Sequence, residues 1–160
     1  MTRQFRRATT ADLDAIMAIE TAEFGTDAWS RATMRAEIAS VHGYYVVASP
    51  PDDPARIDAY AGLHAPRNEP QADIQTIAVA VAARRQGLGR ALIRHLIGEA
   101  RERGARELFL EVRADNPNAK ALYDGLGFEA IAVRPRYYQP DDVDAIVMRL
   151  AIPEPVTEPS

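Results

Sequence analysis

The stretch Asp73-Ile74-Gln75-Thr76-Ile77-Ala78-Val79-Ala80-Val81, continued by Ala82-Ala83-Arg84-Arg85-Gln86-Gly87-Leu88-Gly89-Arg90, decides how the rest of the chain is read. Ile74, Ile77, Val79 and Val81 give its first half the composition of a strand, expected over 73–81. The second half is a polar corner holding Gly87 and Gly89. Beyond it Leu88, Leu92, Ile93, Leu96, Ile97 and Ala100 fall on one helical face, which predicts a helix ending near Arg103 with Gly104 as its left-handed stop. A strand that turns through glycine into a helix presents free main-chain amides and the positive end of the helix dipole at one point. Such a corner suits a phosphate, and Arg84, Arg85 and Arg90 add positive charge around it. On these residues alone, an ordinary tight turn with exposed arginines remains the alternative.

Two familiar phosphate patterns fail here. A P-loop needs Gly-Lys-Ser/Thr, and Gly89 is followed by Arg90 and Ala91. The dinucleotide fingerprint needs a third glycine where Leu92 stands.

Upstream, Gln4 to Arg7 reads as a short strand, and Thr9 and Thr10 cap a helix that runs to about Glu23. Ser30 caps a second helix carrying Met34 and Ile38. Tyr44–Ala48 and Ile57–Leu63 flank the turn Pro50-Pro51-Asp52-Asp53-Pro54 as a hairpin. Downstream, Leu108–Val112 is a strand, Asn116-Pro117 opens a helix that reaches Leu126, and Phe128–Val133 and Ala145–Leu150 are two further strands. The order βααββ, βαβα, ββ predicts an α/β fold with one mixed sheet: a parallel pair at its centre, hairpins toward its edges and flanking helices.

The chain has 160 residues, which suits one domain, expected over 1–150, with a loose Pro-rich tail over 151–160. It has no cysteine, so disulfides, cysteine zinc sites and thiol nucleophiles are excluded. His42, His64 and His95 lack metal-ligand spacing, so no metal is expected. A net charge of −4 disfavours direct nucleic-acid binding. No run approaches the ~18 apolar residues of a membrane span, and Met1 to Ala8 does not look like a signal peptide. The expected setting is the cytoplasm.

A second constellation is Leu110-Glu111-Val112-Arg113-Ala114-Asp115-Asn116, then Ala121-Leu122-Tyr123 and Gly127-Phe128. Glu111 ends an otherwise apolar strand, where desolvation would raise its pKa toward that of a base working near neutral pH. Tyr123 stands two turns into the next helix, as a weak acid suited to a departing thiol. The plain alternatives are a salt bridge to Arg113 or another nearby arginine for Glu111, and a place in the core for Tyr123. Phe24 and Trp29 lie in the loop between the first two helices.

Arg84-x-x-Gly87-x-Gly89 resembles the pyrophosphate loop of the GNAT superfamily of N-acetyltransferases. Leu-Glu-Val-Arg-x-x-Asn over 110–116, Ala121-Leu122-Tyr123, Gly127-Phe128 and Arg136-Tyr137-Tyr138 are similar to the RimI-type ribosomal-protein-alanine N-acetyltransferases. The resemblance is tightest from Ile74 to Tyr138. Ala28 and Val81 depart from it where proline is frequent, and Pro117 follows Asn116. It implies the GNAT fold, acetyl-CoA as co-substrate and no metal. It implies that Glu111 is the general base and Tyr123 the general acid. It further implies that Ile77, Ala78 and Val79 hold the acetyl-pantetheine arm, that Arg84, Arg85, Gln86, Gly87, Leu88, Gly89 and Arg90 wrap the pyrophosphate, and that Asn116 contacts the coenzyme. Trp29, Tyr137 and Tyr138 become candidates for binding the acceptor. The acceptor it implies is a protein N-terminus such as a ribosomal protein's, handled by a monomer or weak dimer. A lysine or small-molecule acceptor, and a catalytically silent acyl-CoA-binding module, remain the alternatives.

Overall fold

A computed structural model describes residues 3–153. The described residues divide into two compact units, one of residues 3–64 and 74–96, the other of residues 65–73 and 97–153.

The first unit begins with strand β1 (Gln4–Arg7). Thr9 then forms a capping box with Asp12 ahead of helix α1 (Leu13–Phe24). Ser30 accepts from the Thr33 amide at 3.1 Å and starts α2 (Arg31–Ala39). Strands β2 (Gly43–Ser49) and β3 (Ala59–His64) pair antiparallel, in register from Gly43–His64 to Ala48–Ala59. β1 pairs antiparallel with β2. Leu13, Ile16, Met34, Ile38, Tyr45, Val47, Tyr60 and Ala78 form the buried core here. Gly62 faces Tyr45 across the hairpin so closely that an added Cβ would sit 2.3 Å from the ring.

Strand β4 (Gln71–Val79) and helix α3 (Leu88–Glu102) each contribute residues to both units. β4 lies two residues earlier than its composition predicts. Its alternation buries Ala72, Ile74, Thr76 and Ala78. Val81, expected in the strand, instead starts a short 3-10 turn over Val81–Ala83 and is 73% exposed.

In the second unit β4 pairs in parallel with β5 (Glu107–Arg113), from Gln71–Glu107 to Asp73–Phe109. Asn116 accepts from the Ala119 amide at 3.2 Å, and Pro117 opens α4 (Pro117–Gly125). Strand β7 (Val143–Ala151) lies antiparallel between β5 and β6 (Glu129–Tyr138). β6 runs past the expected Val133 to take in Tyr137 and Tyr138, with a register shift between Arg134 and Tyr138. Leu108, Leu110 and Val112 are buried, and Glu107, Phe109, Glu111 and Arg113 alternate with them on the other face of β5.

The seven strands are hydrogen-bonded in the order β1-β2-β3-β4-β5-β7-β6, mostly antiparallel around one parallel pair, with helices flanking, as expected. Two residues of the expected tail belong to the fold. Ala151 ends β7, and Ile152 is buried with its amide 2.8 Å from the Arg106 carbonyl. Residues 154–160 of that expected tail lie outside the described residues.

Candidate functional site

In the first unit, the corner after β4 turns through two left-handed residues, Arg85 at φ 64° and Gly87 at φ 74°. Space does not dictate the glycine, since a Cβ at 87 would meet nothing within 4 Å; the backbone angle does. Leu88 turns inward and is buried, while Arg85, Gln86, Gly87 and Arg90 are exposed and Gly89 is half-buried. Among the described residues the amides of Arg85, Gln86 and Gly87 have no main-chain acceptor. The first-turn amides of α3 have none within a helix either. The amides of Arg85, Gln86 and Gly87, at the positive end of a helix dipole, suit a diphosphate.

Arg84 pairs with Glu23 on α1 and reaches the Val79 carbonyl at 3.3 Å. Gln86 accepts from Arg3 at 2.7 Å, and Arg3 in turn pairs with Asp58 at 2.8 Å. Arg84 and Gln86 thus brace the corner, and Arg85, Arg90 and the amides face outward. At the end of β4 Ala78 points into the core while Ile77 and Val79 are half-buried. The next amide, Ala80, is taken by the Asp58 carbonyl at 2.8 Å.

In the second unit, Glu111 is not sealed in an apolar strand end as expected. Its side chain is 28% exposed and pairs with Arg134 at 3.3 Å. Arg113, the other expected partner, is instead held by Asp115 at 2.9 Å and Asp141 at 3.1 Å. Tyr137 meets Glu111: the phenol's pKa is raised, by that carboxylate's charge first, then by burial and by hydrogen bonding to it. Tyr137 and Tyr138 pack edge to face with centroids 5.1 Å apart. Arg134 lies over the first ring at 5.6 Å and Arg113 over the second at 5.1 Å.

Tyr123 is buried, with its ring 5.9 Å from Phe128. Its phenol is pushed up to about 12, by burial first and then by Tyr138. Its hydroxyl has no hydrogen-bond partner among the described residues. Glu111 and Tyr123 do not bond each other. Glu111 meets Tyr137 and Tyr137 packs on Tyr138, and Tyr123 lies in the same unit. Asn116 is exposed, and its side-chain carbonyl serves α4 as a cap, which leaves its amide group for any other partner.

One cluster escaped the sequence. Glu20 on α1 is 1% exposed, and its carboxylate accepts from Tyr60, from Thr76 at 2.9 Å and from the main-chain amide of the half-buried Trp29 at 2.9 Å. The available signal was spacing: Glu20 follows Leu13 and Ile16 along the buried face of α1. Among the described residues no group of three metal-ligating side chains occurs. No helix among them is long and apolar enough to cross a membrane.

The chain belongs to the Acetyltransferase (GNAT) family, whose profile matches residues 13–128. It is an acetyl-CoA-dependent N-acetyltransferase of the RimI type. It is 36% identical over 144 residues to the N-alpha-acetyltransferase RimI of Mycobacterium tuberculosis, covering 88% of this chain and 87% of that one. It is 39% identical over 146 residues to the uncharacterized protein ML0378 of Mycobacterium leprae, and there it spans only 38% of the relative's length, with 88% of this chain covered. The crystal structure of the ribosomal-protein-S18-alanine N-acetyltransferase from Escherichia coli matches with a TM-score of 0.85 at 34% identity, over 98% of this chain and 97% of that one. A phosphinothricin acetyltransferase from Sinorhizobium meliloti, solved in complex with AcCoA, matches with a TM-score of 0.79 at 25% identity, over 100% of this chain and 94% of that one.

Proposed function

We propose that this chain acetylates the N-terminal α-amine of a protein, with a ribosomal protein as the first candidate. The observation that carries the reading is Glu111, a half-buried carboxylate set beside Tyr137 and Arg134, in the same unit as a phenol with a free hydroxyl. The S18-alanine acetyltransferase of Escherichia coli, by its name, acts on such an acceptor.

Acetyl-CoA supplies an activated acetyl thioester. The chain supplies grip and proton handling. The amides of Arg85 to Gly87 and the start of α3, with Arg85 and Arg90, hold the diphosphate, and Arg84 and Gln86 keep the corner in shape. Ile77, Ala78 and Val79 offer main-chain groups to the pantetheine arm, and Asn116 offers its amide group. Glu111, directly or through a water, takes the proton of the attacking amine. An α-amine has an ordinary pKa of ~7.7–8.0, so freeing it at pH 7 costs about 1 kcal/mol, against nearly ~5 for a lysine. A carboxylate base suits the first far better. Tyr123, with its pKa pushed up to about 12, keeps its proton at neutral pH and serves only as a donor, to the leaving thiol. Trp29 in the first unit, half-buried against its core, and Tyr137 and Tyr138 in the second are each assigned to acceptor binding.

Steady-state thiol release across peptides with free N-termini, beside N-blocked peptides containing lysine, tests the proposal. Turnover is expected with the free N-termini. Release only with the blocked peptides would replace the α-amine by a lysine, and coenzyme binding without release against any peptide would leave a silent binding module.

A further inference from the structure

Glu20 takes no part in the proton chemistry above, yet it is the most deeply buried carboxylate among the described residues. Sealed from solvent and filled by three donors, it cannot meet a reactant. Its donors come from different places: Tyr60 from β3, Thr76 from β4 just ahead of Ile77, and the Trp29 amide from the loop between α1 and α2. α1 ends at Phe24 and α2 is capped at Ser30, so this bond fixes the connecting loop close to its downstream end. One turn further on, Glu23 pairs with Arg84 of the diphosphate corner.

We infer that Glu20 is a positioning residue, fastening the Trp29 loop to the strand that carries the pantetheine-binding main chain, so that the acceptor and the coenzyme are held in one register. This rests on the proposed role of Trp29 at the acceptor.

The chemistry of the three donors makes the idea separable from other roles. Tyr60 and Thr76 carry hydroxyls, which donate or accept; the Trp29 amide only donates. Glutamine at position 20 can therefore give its carbonyl oxygen to Trp29 and donate its amide protons to the two hydroxyls. Leucine leaves the Trp29 amide with no acceptor. Trp29 is the only tryptophan of the chain, so its fluorescence reports this loop directly.

The test compares Glu20→Leu with Glu20→Gln by acrylamide quenching of Trp29, calorimetric affinity for CoA, and KM and kcat with an alanine-initiated peptide. Glu20→Leu is expected to raise the quenching constant about twofold and the peptide KM fivefold or more, with CoA affinity held within twofold. Glu20→Gln is expected to restore both. Should Glu20→Leu fail to fold, the triple variant Glu20→Leu, Tyr60→Phe, Thr76→Val makes that core apolar throughout, so that only the Trp29 amide loses its partner, and the same shifts are expected. Unchanged quenching in the leucine variants would overturn the inference, as would a Glu20→Gln enzyme as impaired as Glu20→Leu. If the wild-type enzyme acetylates no α-amine, the acceptor proposal fails by itself, because the quenching measurement uses no peptide.

Discussion

In the proposed mechanism Tyr123 and Glu111 carry the transfer chemistry, and each can be removed without removing its surroundings. The Tyr123 hydroxyl has no hydrogen-bond partner among the described residues, so Tyr123→Phe leaves no polar group unsatisfied. Its turnover is expected to fall about 10²-fold or more, the ordinary range for loss of a general acid. Melting temperature and CoA affinity should stay at wild-type values. Turnover near wild type would take Tyr123 out of the mechanism. Glu111→Gln keeps a polar group beside Tyr137 and Arg134 but cannot accept the amine's proton. Its residual rate is expected to climb about tenfold per pH unit until the acceptor's own pKa of ~7.7–8.0, because solvent must then deprotonate the amine. A residual rate that stays flat over that range would show that the carboxylate does not act as a base.

Among the elements, the β4–α3 corner and the β2–β3 hairpin each depend on one glycine for opposite reasons. Gly87 needs its left-handed angle, φ 74°, so Gly87→Ala costs about 1–2 kcal/mol in that conformation. Calorimetry is expected to show roughly a tenfold loss of CoA affinity, since the backbone donors no longer align. Gly62 needs its empty space: Tyr45, fully buried, would meet an alanine Cβ at 2.3 Å. Gly62→Ala is expected to destabilise the fold by about 1–3 kcal/mol in urea denaturation, a cost typical of overpacking. The glycine corner, the Ser30 and Asn116 caps and the full order of helices and strands were legible in the sequence, because caps and hydrophobic periods are local. The frame of β4 was not, because Thr76 occupies an inward position that only its partner Glu20, far along the chain, makes tolerable. The neighbours of Glu111 were hidden in the same way: Arg134 and Tyr137 reach it from β6, whose length beyond Val133 has no periodic signal. Arg84 and Gln86 were recognisable as members of the corner, but not their bracing by Glu23 and Arg3.

At the scale of the whole molecule, protonation sets the limits of stability. Burial raises the phenols of Tyr45, Tyr60 and Tyr123, the last to about 12. The native state then keeps protons that the unfolded chain gives up near ~10, so stability is full below that pH and falls as pH rises through the native values. At the acid end Arg6 holds the Asp12 carboxyl below its ordinary value, chiefly through its hydrogen bond, so that contribution is lost as pH falls below ~4. Urea midpoints are expected to drop between pH 9 and pH 11 and to drop again below pH 4; a flat profile would contradict the burial of these groups. The most direct test of the acetyl-transfer account uses one peptide with both a free N-terminal alanine and an internal lysine, incubated with the enzyme and acetyl-CoA and read by fragment mass. The acetyl group is expected on the α-amine alone. An acetyl group on the lysine, or none on either amine while CoA still binds, would contradict it.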